Sequence, residues 1–404
     1  MDSKRVMVIA GSKWQIPITK KIKEMGYSPY VVNLYQDSPA FKYADKSGVM
    51  DILDFNSCLT FAKENGIDAV LSEECDIAMP TVAHIAEKLH LCALSPDMAA
   101  LYTNKFAMRE FCKRNNISYP EYRKCQNIED AREFFRTLNR KMIIKPLDAN
   151  SSRGVFTIEN ESDLELYFYE AMSFSKVEKC VLAERYIEGA EFTIDGIKTP
   201  KKHYTMAISE KKHYEHNKNV ACELYFSHSN ENFDYDKLKE VNDRFINASA
   251  LEFALTHAEY KYEDGQFYLI EIAARGGGNL ISADIVPIMT GIDNYQYLIE
   301  CSLGNVKDAD FTVPDKYKNR CSVLKFFDVP GMGGVVKNIA GIDYLTNSPN
   351  VVKWELNFEV GDYIEKAADD SKRAGYYIAY ADSKSELDKL MKEITERFDI
   401  IYER

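Results

Sequence analysis

His257-Ala258-Glu259-Tyr260-Lys261-Tyr262-Glu263-Asp264-Gly265-Gln266-Phe267-Tyr268-Leu269-Ile270-Glu271-Ile272-Ala273-Ala274-Arg275 is the stretch on which the reading of this chain turns. Asp264-Gly265 is a strong two-residue turn signal between runs rich in β-branched and aromatic residues, so strands are expected near Ala254 to Tyr262 and Phe267 to Ala273. Glu259 and Glu271 then lie on adjacent antiparallel strands, where both carboxylates can face one site. Hard Mg²⁺ takes carboxylate oxygens together with phosphate oxygens, and a strand pair holds two such ligands rigidly. Surface polarity is the ordinary account of strand glutamates. Leu269, Ile270 and Ile272 argue against it, because a carboxylate among them needs a cation or a donor. Arg275 follows at a distance suited to negative charge on a transferring phosphoryl or acyl phosphate group.

Working outward, Met142-Ile143-Ile144-Lys145-Pro146 reads as a strand ended by proline, followed by the small polar loop Asp148 to Gly154 and a second strand, Val155 to Ile158. Lys145 offers a point charge to nucleotide phosphates, and Asn150-Ser151-Ser152-Arg153-Gly154 a loop that can close over them with backbone N–H groups. It is not a Walker A loop. Cys180 to Glu184 and Glu191 to Ile197 read as strands joined through Arg185 to Gly189. Such a connector offers backbone groups to an adenine edge, while the carboxylate at its far end accepts ribose hydroxyls.

The first hundred residues alternate short apolar runs, Val6 to Ala10, Tyr30 to Val32 and Asp68 to Leu71, with helical patterns near Ile16 to Met25 and Phe55 to Asn65. This is βαβ patterning for a parallel sheet. Gly11-Ser12 lacks the G-x-G-x-x-G context and reads as a tight turn. Glu73, Glu74 and Asp76 lie where a parallel sheet presents ligand groups and could meet an amino group, but at a helix start they read first as solvated acids. Lys201-Lys202-His203 and Lys211-Lys212-His213 read as an exposed basic loop, and His213 with His216 as solvated rather than metal-binding. Cys321 to Phe327, Val351 to Phe358 and Tyr376 to Ala381 read as strands, and Glu386 to Phe398 as a terminal helix.

The chain has 404 residues, 46% hydrophobic and 28% charged, with a net charge of −12. That length suits several domains around real cores, and the negative balance excludes nonspecific nucleic-acid binding over an extended surface. The nine cysteines are scattered without C-x-x-C spacing, so they read as reduced thiols. No N-terminal apolar run has the length of a signal core or a membrane span, and a cytoplasmic location is expected.

Taken in order, Asn104-Lys105, Ile144-Lys145-Pro146, Ser151 to Gly154, Glu184 with Glu191, Glu259 and Glu271-Ile272-Ala273-Ala274-Arg275 resemble the ATP-grasp superfamily. The resemblance implies an α/β and α+β architecture: an N-terminal parallel-sheet, Rossmann-like domain over 1–96, an ATP-grasp domain over 97–310 with its lid near 105–182, and a small C-terminal α+β domain over 311–404. It implies ATP and Mg²⁺, with Mn²⁺ an alternative, as cofactors. Lys105, Lys145, Ser151, Ser152, Arg153 and Gly154 then look like the phosphate-binding set, Glu184, Arg185, Tyr186 and Ile187 like the adenine hinge, and Glu191 like the ribose acid. Glu259 and Glu271 look like the metal ligands and Arg275 like the catalytic arginine.

Many ATP-grasp enzymes carry Glu-x-Asn where this chain has Glu271-Ile272-Ala273. The alanine form, with His257-Ala258-Glu259 and the C-terminal Val329-Pro330-Gly331, Gly361-Asp362 and Arg373-Ala374-Gly375-Tyr376, is similar to L-amino acid ligases that make dipeptides. The resemblance therefore implies a small-molecule carboxylate and an amine as substrates, joined through an acyl phosphate with release of ADP and phosphate, with a homodimer as the candidate assembly. A phosphotransferase and a non-catalytic ATP-binding regulator are the alternatives on the same fold.

Overall fold

The computed structural model describes residues 3–148, 153–176, 178–306 and 308–403. Strands β1 (Arg5–Ile9), β2 (Ser28–Asn33), β3 (Lys46–Val49) and β4 (Ala69–Leu71) form a wholly parallel sheet in the order β3-β2-β1-β4. Val6 to Ile9 are fully buried, as a strand covered on both faces requires, and the helices Ile16–Glu24, Phe55–Glu64 and Met79–Leu89 supply the cover. The strand order reverses beside β1, which has β2 on one side and β4 on the other.

A second, four-stranded antiparallel sheet, β5-β8-β6-β7, consists of β5 (Tyr122–Cys125), β6 (Met142–Pro146), β7 (Phe156–Ile158) and β8 (Val181–Arg185). The helices Ile128–Leu138 and Glu161–Ser173 pack on it through Phe134, Leu164, Phe168 and Ala171. The other face of this sheet turns toward the main body.

That body is an eight-stranded antiparallel sheet in the order β13-β12-β9-β10-β11-β14-β18-β16. Its strands are β9 (Glu191–Lys198), β10 (His203–His213), β11 (Ala221–Phe226), β12 (Ala254–Glu263), β13 (Gln266–Ala273), β14 (Cys321–Phe326), β16 (Val351–Leu356) and β18 (Gly375–Ala381). The pairing of β11 with β14 carries the sheet without a break into the last ninety or so residues. The short strands β15 (Gly334–Ala340), β17 (Tyr363–Ile364) and β19 (Asp399–Tyr402) make a small sheet beside it, and the helix Lys384–Arg397 closes that end.

The basic loop expected at 201–213 is a correction: His203–His213 is a central strand paired on both sides. The run Lys211-Lys212-His213 obeys strand period rather than loop chemistry, with Lys211 turned inward onto acids and the Lys212 side chain 65% exposed. Among the described residues no helix is long and apolar enough to cross a membrane.

Candidate nucleotide and metal site

The β12–β13 hairpin turns at Asp264 (φ 48) and Gly265 (φ 80), the pair of positive dihedrals that a tight hairpin turn requires. Glu263 pairs with Gln266, and the register runs regularly to Tyr260 opposite Leu269. Continued without interruption, it would set Glu259 opposite Ile270 and point Glu271 to the other face of the sheet. The register shifts between Glu259 and Tyr260, leaving Ile270 as an extra residue, and Glu259 comes directly opposite Glu271. A β-bulge thus puts both carboxylates on one face. Its exposed carbonyl, that of Ile270, accepts a hydrogen bond from Arg109 Nη2 at 2.7 Å.

Each of these carboxylates meets a lysine. Lys105 Nζ lies 2.8 Å from Glu271 Oε1. Lys211 Nζ lies 2.8 Å from both Glu259 Oε1 and Glu191 Oε1. The sheet register explains the second contact, because Glu191 on β9 pairs with Lys211 on β10 and with Lys261 on β12. Burial opposes charge on Glu191 and Glu259, but Lys211 overcomes it, holding Glu191 at about 2 and Glu259 well below the usual carboxylate range. Both stay ionised. Lys211 was missed in the sequence because its two charged neighbours disguised a strand as a loop.

On the facing sheet, Lys145 and Glu184 are both buried, and Lys145 Nζ lies 2.7 Å from Glu184 Oε2. Arg109, fully buried on the helix Lys105–Arg114, donates from Nε to Glu184 Oε1 at 2.7 Å. Desolvation opposes the charge on Glu184, and Arg109 with Lys145 outweighs it, so its pKa is lowered. Arg109 therefore clamps the acid that aims Lys145 and the bulge that aims Glu271. Ile187 is 2% exposed at the connector, whereas Arg185 turns outward to Glu121 and Glu263, 2.5 Å from each. Tyr186 lies under Lys261 Nζ, 4.6 Å from the ring centroid. Ser151 and Ser152 fall outside the described residues, while Arg153 is exposed and Gly154 has φ +71 with Phe174 pressed against it.

Arg275 leaves the end of β13 toward the N-terminal domain, where both its Nε (2.9 Å) and its Nη2 engage the Asp76 carboxylate. Beside Glu259, His257 Nδ1 lies 2.9 Å from Asp195 Oδ1. Burial works against the imidazolium, but Asp195 raises His257 to about 9. A Cβ at Gly277 would come within 2.5 Å of Asp195 Oδ1 and 2.8 Å of His257 Nδ1, so glycine is required at that crossing. Glu73, Glu74 and Asp76 correct the expectation of solvated helix-start acids: Glu73 is 0% exposed and neither of the others is exposed.

Lys105, Lys145, Lys211 and Arg275 thus bring positive charge to the space between the sheets, each paired with a carboxylate side chain. That arrangement suits a polyphosphate. Glu259 and Glu271, hard oxygen donors opposite one another, fit a divalent cation whose remaining ligands come from phosphate. Among the described residues no group of three or more His, Cys, Asp or Glu that could hold a metal ion is found.

Residues 138–284 match the model of the ATP-grasp domain. That stretch runs from β6 to β13 and holds Lys145, Glu184, Glu191, Glu259, Glu271 and Arg275. Residues 327–403 match L-amino acid ligase C-terminal domain 2, so the chain carries an ATP-grasp domain followed by the C-terminal domain of L-amino acid ligases. Over its whole length it is similar to the crystal structure of an L-amino acid ligase from Bacillus licheniformis (TM-score 0.83, 18% identity, 100% of each chain) and of phosphoribosylglycinamide synthetase from Anaerococcus prevotii (TM-score 0.75, 19% identity, 100% of each chain). In sequence it is 24% identical over 362 residues to the carbamoyl phosphate synthase large chain of Clostridium acetobutylicum, a match covering 85% of this chain and 32% of that protein. The chain spans about a third of that relative's length.

Proposed function

We propose that the chain is an ATP-dependent carboxylate–amine ligase that forms an amide or peptide bond through an acyl phosphate, giving ADP and phosphate, with an amino acid as one substrate. The single observation that carries this reading is the bulge that turns Glu259 and Glu271 onto one face, opposite Lys105 and next to Arg275. The C-terminal domain match directs the choice toward amino acids. The proposal includes a division into an N-terminal domain over 1–96, an ATP-grasp domain over 97–310 and a C-terminal domain over 311–404, and a cytoplasmic location, which suits the scattered cysteines.

In this reading Lys105 and Lys145 bind the nucleotide phosphates, Ile187 and the backbone beside Arg185 and Tyr186 receive adenine, and Glu191 takes the ribose hydroxyls. Glu259 and Glu271 would hold Mg²⁺, which when bound neutralises phosphate charge. A carboxylate oxygen of the first substrate attacks the γ-phosphorus, the bond to the β,γ-bridging oxygen breaks, and ADP leaves. Lys145 stabilises the charge that develops. Arg275 holds the acyl phosphate and then the tetrahedral oxyanion as the amine nitrogen attacks the acyl carbon and phosphate departs.

The test is phosphate release from ATP across pairs of amino acids, with the products identified by mass spectrometry. The expected result is release that depends on a competent pair and falls by at least about 100-fold in Glu271→Ala. Turnover left intact in that variant would sink the metal assignment, and a phosphorylated product without an amide would move the chain to the phosphotransferases.

A further inference from the structure

Open parallel sheets bind ligands outside the C-terminal ends of the strands where the strand order reverses. Here that place is the mouth between β1 and β4, and the loop leaving β4 carries Glu73 and Glu74. Glu73 Oε1 accepts from the Gly276 N–H at 2.6 Å, and Glu74 Oε2 from the Leu280 N–H at 3.2 Å. Of the second oxygens, Glu73 Oε2 is buried beside the Ser282 and Tyr295 hydroxyls, and Glu74 Oε1 is buried without a hydrogen-bond partner. The hydroxyl of Tyr295, a residue only 5% exposed, lies close to both carboxylates and to Ser282. A Cβ at Gly276 would meet Ser282 Oγ at 2.0 Å and Glu73 Oε2 at 2.6 Å, so only glycine leaves that oxygen uncovered.

No lysine or arginine within hydrogen-bonding reach neutralises this pair among the described residues, since the Arg275 guanidinium is spent on Asp76 and the carbonyl of Gly276. Burial, against the Gly276 N–H, pushes Glu73 up to about 7, and burial together with Glu73 pushes Glu74 well above the carboxylate range. An acid pair without a cation, one of whose oxygens lacks a donor, is what a ligand bearing its own positive charge and N–H donors would satisfy. The hydrogen bond to Gly276 N–H sets the pair one peptide unit from Arg275, where the acyl group is held in the ligase reading.

We propose that Glu73 and Glu74, with Tyr295, form the subsite for the attacking amine, a primary amine that enters as its ammonium ion. This rests on the ligase reading. The ammonium N–H groups donate to Glu73 Oε2, Glu74 Oε1 and the Tyr295 hydroxyl oxygen. One ammonium proton first passes to the carboxylate pair, which frees the nitrogen lone pair; the nitrogen then attacks, the C–N bond forms, the bond from acyl carbon to phosphate oxygen breaks, and the second proton leaves with the departing phosphate.

Hydroxylamine, uncharged at neutral pH, separates the two halves of the claim, because it traps an acyl phosphate as a hydroxamate without an ammonium group. The full-length protein is supplied with ATP, Mg²⁺ and each proteinogenic L-amino acid as carboxylate, and with either hydroxylamine or a second amino acid. In Glu73→Gln and Glu74→Gln the KM for the amino acid amine is expected to rise at least about 30-fold, and the ratio of peptide to hydroxamate to fall by a similar factor. Glutamine keeps the acceptor for the Gly276 N–H, and Tyr295→Phe carries the same test, with a smaller rise in KM, should the glutamine variants not fold. An unchanged ratio in all three variants overturns the subsite. Absence of both hydroxamate and phosphate in the wild-type protein overturns the ligase reading beneath it.

Discussion

Glu191 with Glu259, and Glu73 with Glu74, are two carboxylate pairs withdrawn from solvent to different degrees, and the molecule treats them in opposite ways. The first pair shares Lys211, which holds both acids ionised whatever else is bound. The second has backbone N–H groups and each other, and burial drives it toward the neutral form. The difference teaches what each place is built to receive. A carboxylate that must coordinate a cation beside a polyphosphate has to be charged in advance, so the fold supplies a lysine from the neighbouring strand. A carboxylate meant for an ammonium group can wait for the charge that the ligand brings, at the expense of stability in the free protein.

The comparison can be broken at several points. The largest effect should come from Lys145→Met, which removes the phosphate-side cation and leaves Glu184 with Arg109 alone: ATP turnover is expected to fall by about 100- to 1000-fold in a phosphate-release assay. Lys211→Met removes the cation that Glu191 and Glu259 share, leaving only the longer contacts to Lys261, His213 and His257, and should cost about 2–3 kcal/mol in denaturant unfolding, with added Mg²⁺ restoring part of it. A loss that Mg²⁺ leaves untouched would mean that Glu259 is not a metal ligand.

Glu73→Gln should act in the other direction. The folded protein holds Glu73 near 7 against an ordinary 4.5, so its charge penalises folding. The penalty is absent below about pH 4.5, grows up to pH 7 and is full above it. At pH 8 the variant should be more stable than the parent by about 1–3 kcal/mol, and at pH 4.5 the two should converge. The smallest effect belongs to Lys212→Met. That side chain points outward from β10, and its partner Glu223 keeps Lys325 at 2.9 Å, so unfolding should change by less than about 1 kcal/mol.

Much of this was legible in the sequence, because hairpin turns and βαβ alternation announce themselves locally. Asp264-Gly265 located the hairpin with Glu259 and Glu271, and the alternation of apolar runs and helices located the parallel sheet. What put the two glutamates on one face was not legible. Glu263 opposite Gln266 starts a register in which they face apart, and only the extra residue at Ile270, capped by Arg109 from a helix some 160 positions earlier, brings them together. Strand period also hid Lys211, since one buried lysine between charged neighbours has the composition of a loop. Glu73 read as a solvated helix-start acid because its burial comes from Gly276 and Ser282, more than 200 positions further along, which no local pattern records.

The most direct test of the central claim follows the oxygen. With a substrate amino acid whose carboxylate carries heavy oxygen, an acyl phosphate requires that one of those oxygens leave with phosphate when the amide forms. The account predicts one heavy oxygen per phosphate released, seen by mass spectrometry. Unlabelled phosphate accompanying an amide product would contradict it.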